Sequence, residues 1–168
     1  RFSDYPHRIN DVGVLFDLTI HDVDIISNLV SSSPVSVYAA GGNAKNKFHE
    51  DFVNVSINFE NGVIGLCQTN WLTPMRVRDL SVTTTNELIR VDFLEKDVSV
   101  FSSQSKDNNT IRRKRLDILE KESLEVELSD FLEAVVKDKS PAVSGNEGLI
   151  AVSIVEAALE SLHTGKKV

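Results

Sequence analysis

The sequence is poor in the features that would name a chemistry outright. It holds one cysteine, Cys67, so no internal disulfide can form, and a lone thiol in an apolar alternating segment reads as buried strand filling. That usage fits a reducing compartment, and a cytoplasmic protein is expected. No apolar run approaches the ~18 residues that a membrane-spanning helix needs. The opening Arg1-Phe2-Ser3-Asp4-Tyr5-Pro6 lacks the apolar stretch of a secretory signal, and the chain does not start with methionine, so Arg1 reads as a point inside a longer protein. Positive charge is in deficit: 18 Lys and Arg against 25 Asp and Glu leave a net charge of −7. A general binder of phosphate backbones would carry the opposite balance, so nucleic acid is not expected as a partner. There is no G-x-G-x-x-G, no P-loop, no nucleophile elbow and no cysteine-based metal motif. Nucleophilic catalysis and an internal nucleotide cradle therefore have no support.

What remains is enough for one domain over 1–168 with its own core. Residues 1–12 read as an extended arm. Leu15, Leu18, Ile25, Ile26 and Leu29 recur at helical spacing from Val14 to Val30, and Ser31-Ser32-Ser33-Pro34 stops the helix. Val35 to Ala40 alternates as a strand, and the polar stretch Gly41 to Lys47 reads as a turn. Two alternating runs, Phe52 to Phe59 and Val63 to Asn70, flank Glu60-Asn61-Gly62, a strong hairpin signal. Strand-like runs follow at Arg78 to Thr83, Leu88 to Phe93 and Val98 to Phe101, and the polar then basic residues 102–115 read as a mobile loop. Leu124 to Lys137 carries Leu128, Phe131, Leu132, Val135 and Val136 on one helical stripe. A last helix from Ser144 to Leu162 has a capping box in Ser144 and Glu147 and a stop at Thr164-Gly165. Helix, meander, helix, helix implies an α+β fold: an open, mainly antiparallel β-sheet with helices packed on one face.

The chemistry concentrates at Asp17 and His21. At helical spacing a carboxylate and an imidazole share one face, where a histidine can take a proton from a hydroxyl and a carboxylate can orient the ring. That suits alcohol oxidation by hydride transfer, with the hydride acceptor held elsewhere. An ordinary surface role for both residues stays open, as does metal binding with Asp22 or Asp24, although Asp22 turns away from the shared face and no metal site is expected. Asn70-Trp71-Leu72-Thr73-Pro74-Met75-Arg76-Val77-Arg78 forms a second cluster. Trp71 could stack on a base or sugar with Arg76 and Arg78 at a phosphate, or it could close the core edge with both arginines solvated. Arg8 is a third candidate phosphate contact, and His7, His49 and His163 read as surface residues.

From Val12-Gly13-Val14-Leu15-Phe16-Asp17 through Asp17-Leu18-Thr19-Ile20-His21-Asp22-Val23-Asp24 to the closing Val143-Ser144-Gly145-Asn146-Glu147-Gly148-Leu149, the chain resembles the C-terminal domain of the Gfo/Idh/MocA oxidoreductases. The resemblance implies a substrate-binding and oligomerisation domain whose partner, an N-terminal Rossmann domain, binds NAD or NADP. It implies proton transfer and substrate orientation for Asp17 and His21, and a homodimer or tetramer through the exposed sheet face. The family's Glu-Lys-Pro lysine belongs to the other half. Asp11-Val12-Gly13 departs from the consecutive glycines of many members. Pro6 to Val14 and Asn70 to Pro74 look most like the branch acting on UDP-N-acetylglucosamine at C3, which implies a sugar or nucleotide-sugar substrate with Arg8, Trp71, Arg76 and Arg78 as binding residues. A non-catalytic sugar-sensing or dimerisation module of the same fold is the alternative.

Overall fold

The structure, a computed structural model, describes residues 1–9, 11–103, 111–118 and 121–168. In chain order its elements are a π-turn (Leu15–Thr19), α1 (Ile20–Val30), β1 (Pro34–Gly42), β2 (Phe52–Phe59), β3 (Ile64–Asn70), β4 (Asp79–Thr83), β5 (Glu87–Asp92), β6 (Asp97–Ser103), β7 (Ile111–Leu116), α2 (Ser123–Lys137) and α3 (Gly145–Thr164). The fold is α+β with antiparallel strands. The residues group into two compact units, Arg1–Arg76 with Asp138–Val168, and Val77–Lys137.

Period-two alternation builds the sheet of the first unit. β1, β2 and β3 pair antiparallel in that order. Val53, Val55, Ile57 and Phe59 of β2 are buried, as are Gly65, Cys67 and Thr69 of β3, while their neighbours face outward. The hairpin falls where Asn61-Gly62 places it: Gly62 has φ +82°, a region open to glycine, and Asn61 Oδ1 accepts the Val63 N–H at 3.1 Å. The inner face is covered by helices. Val23 and Ile26 of α1 and Ala151, Ile154, Val155 and Ala158 of α3 join the strands in one core. Each fully buried Val or Ile contributes about 1.5–3 kcal/mol before conformational entropy is subtracted.

α3 begins as its sequence implies. The Ser144 side chain accepts the Asn146 N–H, the Glu147 carboxylate accepts the Ser144 N–H, and the helix stops at Gly165. Its end is tied to the edge of β1 by Ser161, a fully buried serine whose Oγ accepts the Ala39 N–H at 3.0 Å. Val37 and Val168 exchange both backbone hydrogen bonds, so the tail after α3 pairs with that edge.

Two expectations for this unit are corrected. Gly41 and Gly42 belong to β1, paired with Val53 and Phe52, because the ladder continues as far as β2 can offer partners. The first helix is also not uniform. The Ile20 N–H bonds to the Leu15 carbonyl five residues back, so Asp17 lies in a π-turn and His21 in α1.

The second unit is a meander, β4-β5-β6-β7. The expected loop 102–115 divides: 102–103 close β6, 104–110 lie outside the described residues, and 111–115 lie in β7. Ile111-Arg112-Arg113-Lys114-Arg115-Leu116 has no apolar alternation, which hides a strand, and its charges suit a sheet edge that must not pair with strangers. β7 is held by side chains: Arg113 Nε and Nη2 donate to Ser99 Oγ at 3.2 and 3.1 Å, and Asp97 pairs with Arg113 and Arg115. In α2 the expected apolar stripe forms but stands exposed, with Phe131 at 60% and Val136 at 82%. Among the described residues, no helix is long and apolar enough to cross a membrane.

Burial, with the Asp22 charge second, pushes the Cys67 thiol up from 9.0 to about 12. The folded state thus keeps a proton that the unfolded chain loses, so stability is full below pH 9 and falls as pH rises toward about 12. The slope reaches at most about 1.4 kcal/mol per pH unit. Urea unfolding at pH 8, 9 and 10 will read this as a decline that Cys67→Val lacks, and equal declines in both proteins would refute it.

Candidate active site

The end of the first sheet where β2 begins and β3 finishes gathers segments far apart in sequence. The arm runs beside β3: Ser3 N–H donates to the Asn70 carbonyl at 3.0 Å, and Asn70 N–H donates to that of Arg1 at 3.2 Å. This sets Tyr5 edge-on against Trp71, with ring centroids 5.9 Å apart at 78°. Trp71 is fully buried, and its backbone N–H donates to the Asp51 carbonyl at 2.9 Å.

Two consecutive carboxylates organise this end. Asp51, fully buried, accepts the backbone N–H groups of Ala44 at 2.9 Å, Lys45 at 2.6 Å and Asn46 at 2.9 Å, so one side chain folds the loop between β1 and β2. Glu50, also buried, turns the other way. Its carbonyl accepts the Val14 N–H at 2.9 Å and its Oε1 the Leu15 N–H at 3.0 Å, which satisfies donors left open where a helix begins. A Cβ at Gly13 would lie 2.0 Å from Glu50 Oε1, so any larger residue there would make the carboxylate move.

The far side of the π-turn is held by hydroxyls and an indole. Thr19 and Thr69, both buried, meet at 2.6 Å between their Oγ1 atoms, and Thr19 Oγ1 donates to the Val14 carbonyl at 3.3 Å. Trp71 Nε1 donates to Asp17 Oδ2 at 3.1 Å. Asp17, in the middle of the turn, is half-buried, whereas His21, four residues on, is exposed. Among the described residues no hydrogen bond or ion pair joins Asp17 to His21, so the indole orients the carboxylate. The neighbouring Asp22 pairs with Arg1 at 2.9 Å. No group of three or more His, Cys, Asp or Glu among the described residues is placed to hold a metal ion.

Trp71 is therefore not a stacking platform: with none of its surface exposed it offers no ring face to a base or sugar, and it acts on the site through Asp17. Arg8 and Arg76 are exposed residues of the first unit, and Arg78 belongs to the second, where its carbonyl accepts the Phe93 N–H at 2.9 Å. Glu50, Asp51, Thr19 and Thr69 were missed from sequence. One signal pointed at two of them. Asp51 and Thr69 keep step with the buried alternating positions of β2 and β3, which marks a polar side chain turned inward.

This α+β domain carries a carboxylate and an imidazole at the head of its first helix, and its sequence has no phosphate-loop motif. The model of the GFO/IDH/MocA C-terminal domain matches residues 3–90, and the chain belongs to that family. It is 24% identical over 167 residues to the UDP-N-acetylglucosamine 3-dehydrogenase of Acidithiobacillus ferrooxidans, covering 96% of this chain and 53% of that enzyme. The solved structure of that enzyme superposes with a TM-score of 0.88 at 21% identity, over 98% of this chain and 53% of that one. The oxidoreductase YrbE of Bacillus subtilis, described as uncharacterized, is 29% identical over 175 residues, covering 93% of this chain and 48% of its own length. An oxidoreductase from Agrobacterium radiobacter, solved in complex with NAD+, L-tartaric acid and magnesium, has the same fold, with a TM-score of 0.77 at 17% identity over 99% of this chain and 54% of that one. The chain thus spans about half the length of the curated relatives it matches.

Trp71→Phe keeps a ring in the core and deletes the donor to Asp17. We expect a stability loss of about 1.5–3 kcal/mol, as for a hydrogen bond to a charged group. Trp71→Ala, which also opens a cavity, is expected to cost about 3–5 kcal/mol. Urea unfolding of the two variants checks both values, and a Trp71→Phe protein as stable as the wild type would refute the indole–carboxylate bond.

Proposed function

We propose that this chain is the substrate-binding and oligomerisation domain, over residues 1–168, of a cytoplasmic NAD(P)-dependent dehydrogenase that oxidises a sugar or nucleotide-sugar hydroxyl, with UDP-N-acetylglucosamine at C3 as the substrate. The observation that carries the reading is the Asp17 carboxylate, fixed by a buried indole at the head of the helix that bears His21. The match to a UDP-N-acetylglucosamine 3-dehydrogenase along nearly the whole chain supports the choice of substrate.

The residues here fit a nicotinamide presented from another domain, since they offer proton-handling groups and no phosphate loop. That cofactor, held by an N-terminal Rossmann half, supplies the hydride acceptor. This chain's task is the hydroxyl proton. His21, exposed on the first turn of α1, takes it as general base as the carbinol carbon becomes a carbonyl. Asp17 has one carboxylate oxygen engaged by Trp71, and the other receives a substrate hydroxyl and holds it in register. Arg8 and Arg76, both exposed on the first unit, meet the diphosphate with charge-assisted hydrogen bonds.

Two outcomes test this. In the protein extended by its N-terminal half, nicotinamide reduction should proceed with UDP-N-acetylglucosamine, and His21→Ala and Asp17→Asn should each lower kcat by about 10²–10⁴ while the protein stays folded. No turnover with nucleotide sugars, free sugars or inositols, or turnover indifferent to His21, would shift the reading to a sugar-sensing or dimerisation module.

The outer face of the first sheet is the proposed contact between copies, as dimer or tetramer. Tyr38, Ile64 and Leu66 stand exposed on it, Leu66 at 74%. Leu66→Lys should reduce the mass found by light scattering to that of the monomer, and an unchanged mass would exclude this face.

A further inference from the structure

Glu50, buried two residues before β2, reaches the start of the Asp17 segment with its side chain across 35 residues of sequence. We infer that Glu50 is the positioning residue of Asp17, setting where that carboxylate stands at the site; the functional part of this inference rests on the proton-handling role proposed for Asp17.

Three observations carry it. The first turn of a helix leaves its N–H groups without partners, and here two of them, from Val14 and Leu15, are taken by the backbone and side chain of the same residue. One rigid group therefore sets both the height and the rotation of the turn. Next, the carboxylate is seated against the backbone itself. It fills the volume that a side chain at residue 13 would occupy, with the ideal Cβ 2.0 Å from Oε1 and 2.2 Å from Cδ, so the turn cannot settle closer without expelling it. Finally, Glu50 and the far anchor of Asp17 share a backbone. The adjacent Asp51 carbonyl accepts the Trp71 N–H at 2.9 Å, and Trp71 Nε1 donates to Asp17 Oδ2 at 3.1 Å. Asp17 thus closes a ring of contacts running Glu50, Leu15, Asp17, Trp71, Asp51. Glu50 fixes the start of the turn, and the Thr19–Thr69 pair fixes its end, so losing Glu50 frees the side of the ring on which Leu15 leads into Asp17.

The molecule contains its own reporter. Trp71 is the only tryptophan in the sequence, so the 168-residue chain has one indole N–H resonance, and it belongs to the donor of the Asp17 bond. The experiment compares the shift of that resonance, and its exchange with water, in the wild type, Glu50→Ala, Glu50→Asp and Glu50→Gln, with Asp17→Ala as the reference for a lost bond. Glu50→Asp keeps the charge but is one methylene too short, and Glu50→Gln keeps both reach and acceptor. We expect Glu50→Ala and Glu50→Asp to move the indole resonance toward the Asp17→Ala position and to exchange about tenfold faster or more, as for a locally opened contact, with Glu50→Gln restoring wild-type behaviour. In the extended enzyme the same two variants should lose about 10²-fold in kcat, with KM changed far less, as expected for a displaced reacting group. Should Glu50→Ala fail to fold, Glu50→Asp decides. A folded variant whose indole signal and exchange match the wild type overturns the inference whether or not the protein is a dehydrogenase. An enzyme without turnover would overturn the functional reading and leave the indole result standing.

Discussion

The arrangement of this domain's working end depends on one constraint: a carboxylate placed inside a protein must be fully hydrogen-bonded. Glu50 and Asp51 are neighbours, and neighbouring side chains on an extended chain point to opposite sides. One finds a donor, the Leu15 N–H, at the head of the first helix, and the other finds three backbone N–H groups in the loop between β1 and β2. Their own demand for partners brings two segments together, and the backbone between them anchors a third through Trp71. Hydrogen bonds to a charged group are worth about 1.5–3 kcal/mol each, and removing one partner costs more because the other stays buried and unmet. That asymmetry makes the corner stiff.

Stiffness at this corner fixes Asp17 while leaving part of it open. Asp17 is held by a buried indole that no ligand can reach and is itself half-buried, on the segment that leads into the exposed His21. A π-turn places it there. Such turns shift the register of side chains relative to an α-helix, so Asp17 is presented by backbone irregularity as much as by spacing. The chain belongs to the GFO/IDH/MocA C-terminal domain family, and a substrate-orienting role is what we propose for it.

The second unit follows different physics. Its sheet is held at the outer strand by charge: Asp97 bridges Arg113 and Arg115, and the buried Ser99 fixes Arg113 with two further bonds. Arg90 and Arg113 both lie over the Phe101 ring, at 5.9 and 5.7 Å from its centroid. A strand built this way has no apolar rhythm, and for that reason β7 read as a loop.

Local rules were legible wherever the physics was local. Alternation at Val53, Val55, Ile57 and Phe59, the Asn61-Gly62 turn and the Ser144–Glu147 capping box each depend on residues a few positions apart, so the sequence by itself determined the first hairpin, the last helix, the antiparallel α+β class and the presence of Asp17 and His21 at the head of a helix. Only the tertiary structure decided what those residues do. The burial of Trp71, its bond to Asp17, the inward carboxylates of Glu50 and Asp51, and the Thr19–Thr69 pair all join residues more than thirty positions apart or depend on which side of a strand the core lies. Desolvation is a property of the assembled chain: whether a carboxylate meets water or a backbone N–H is set by what the rest of the molecule packs around it.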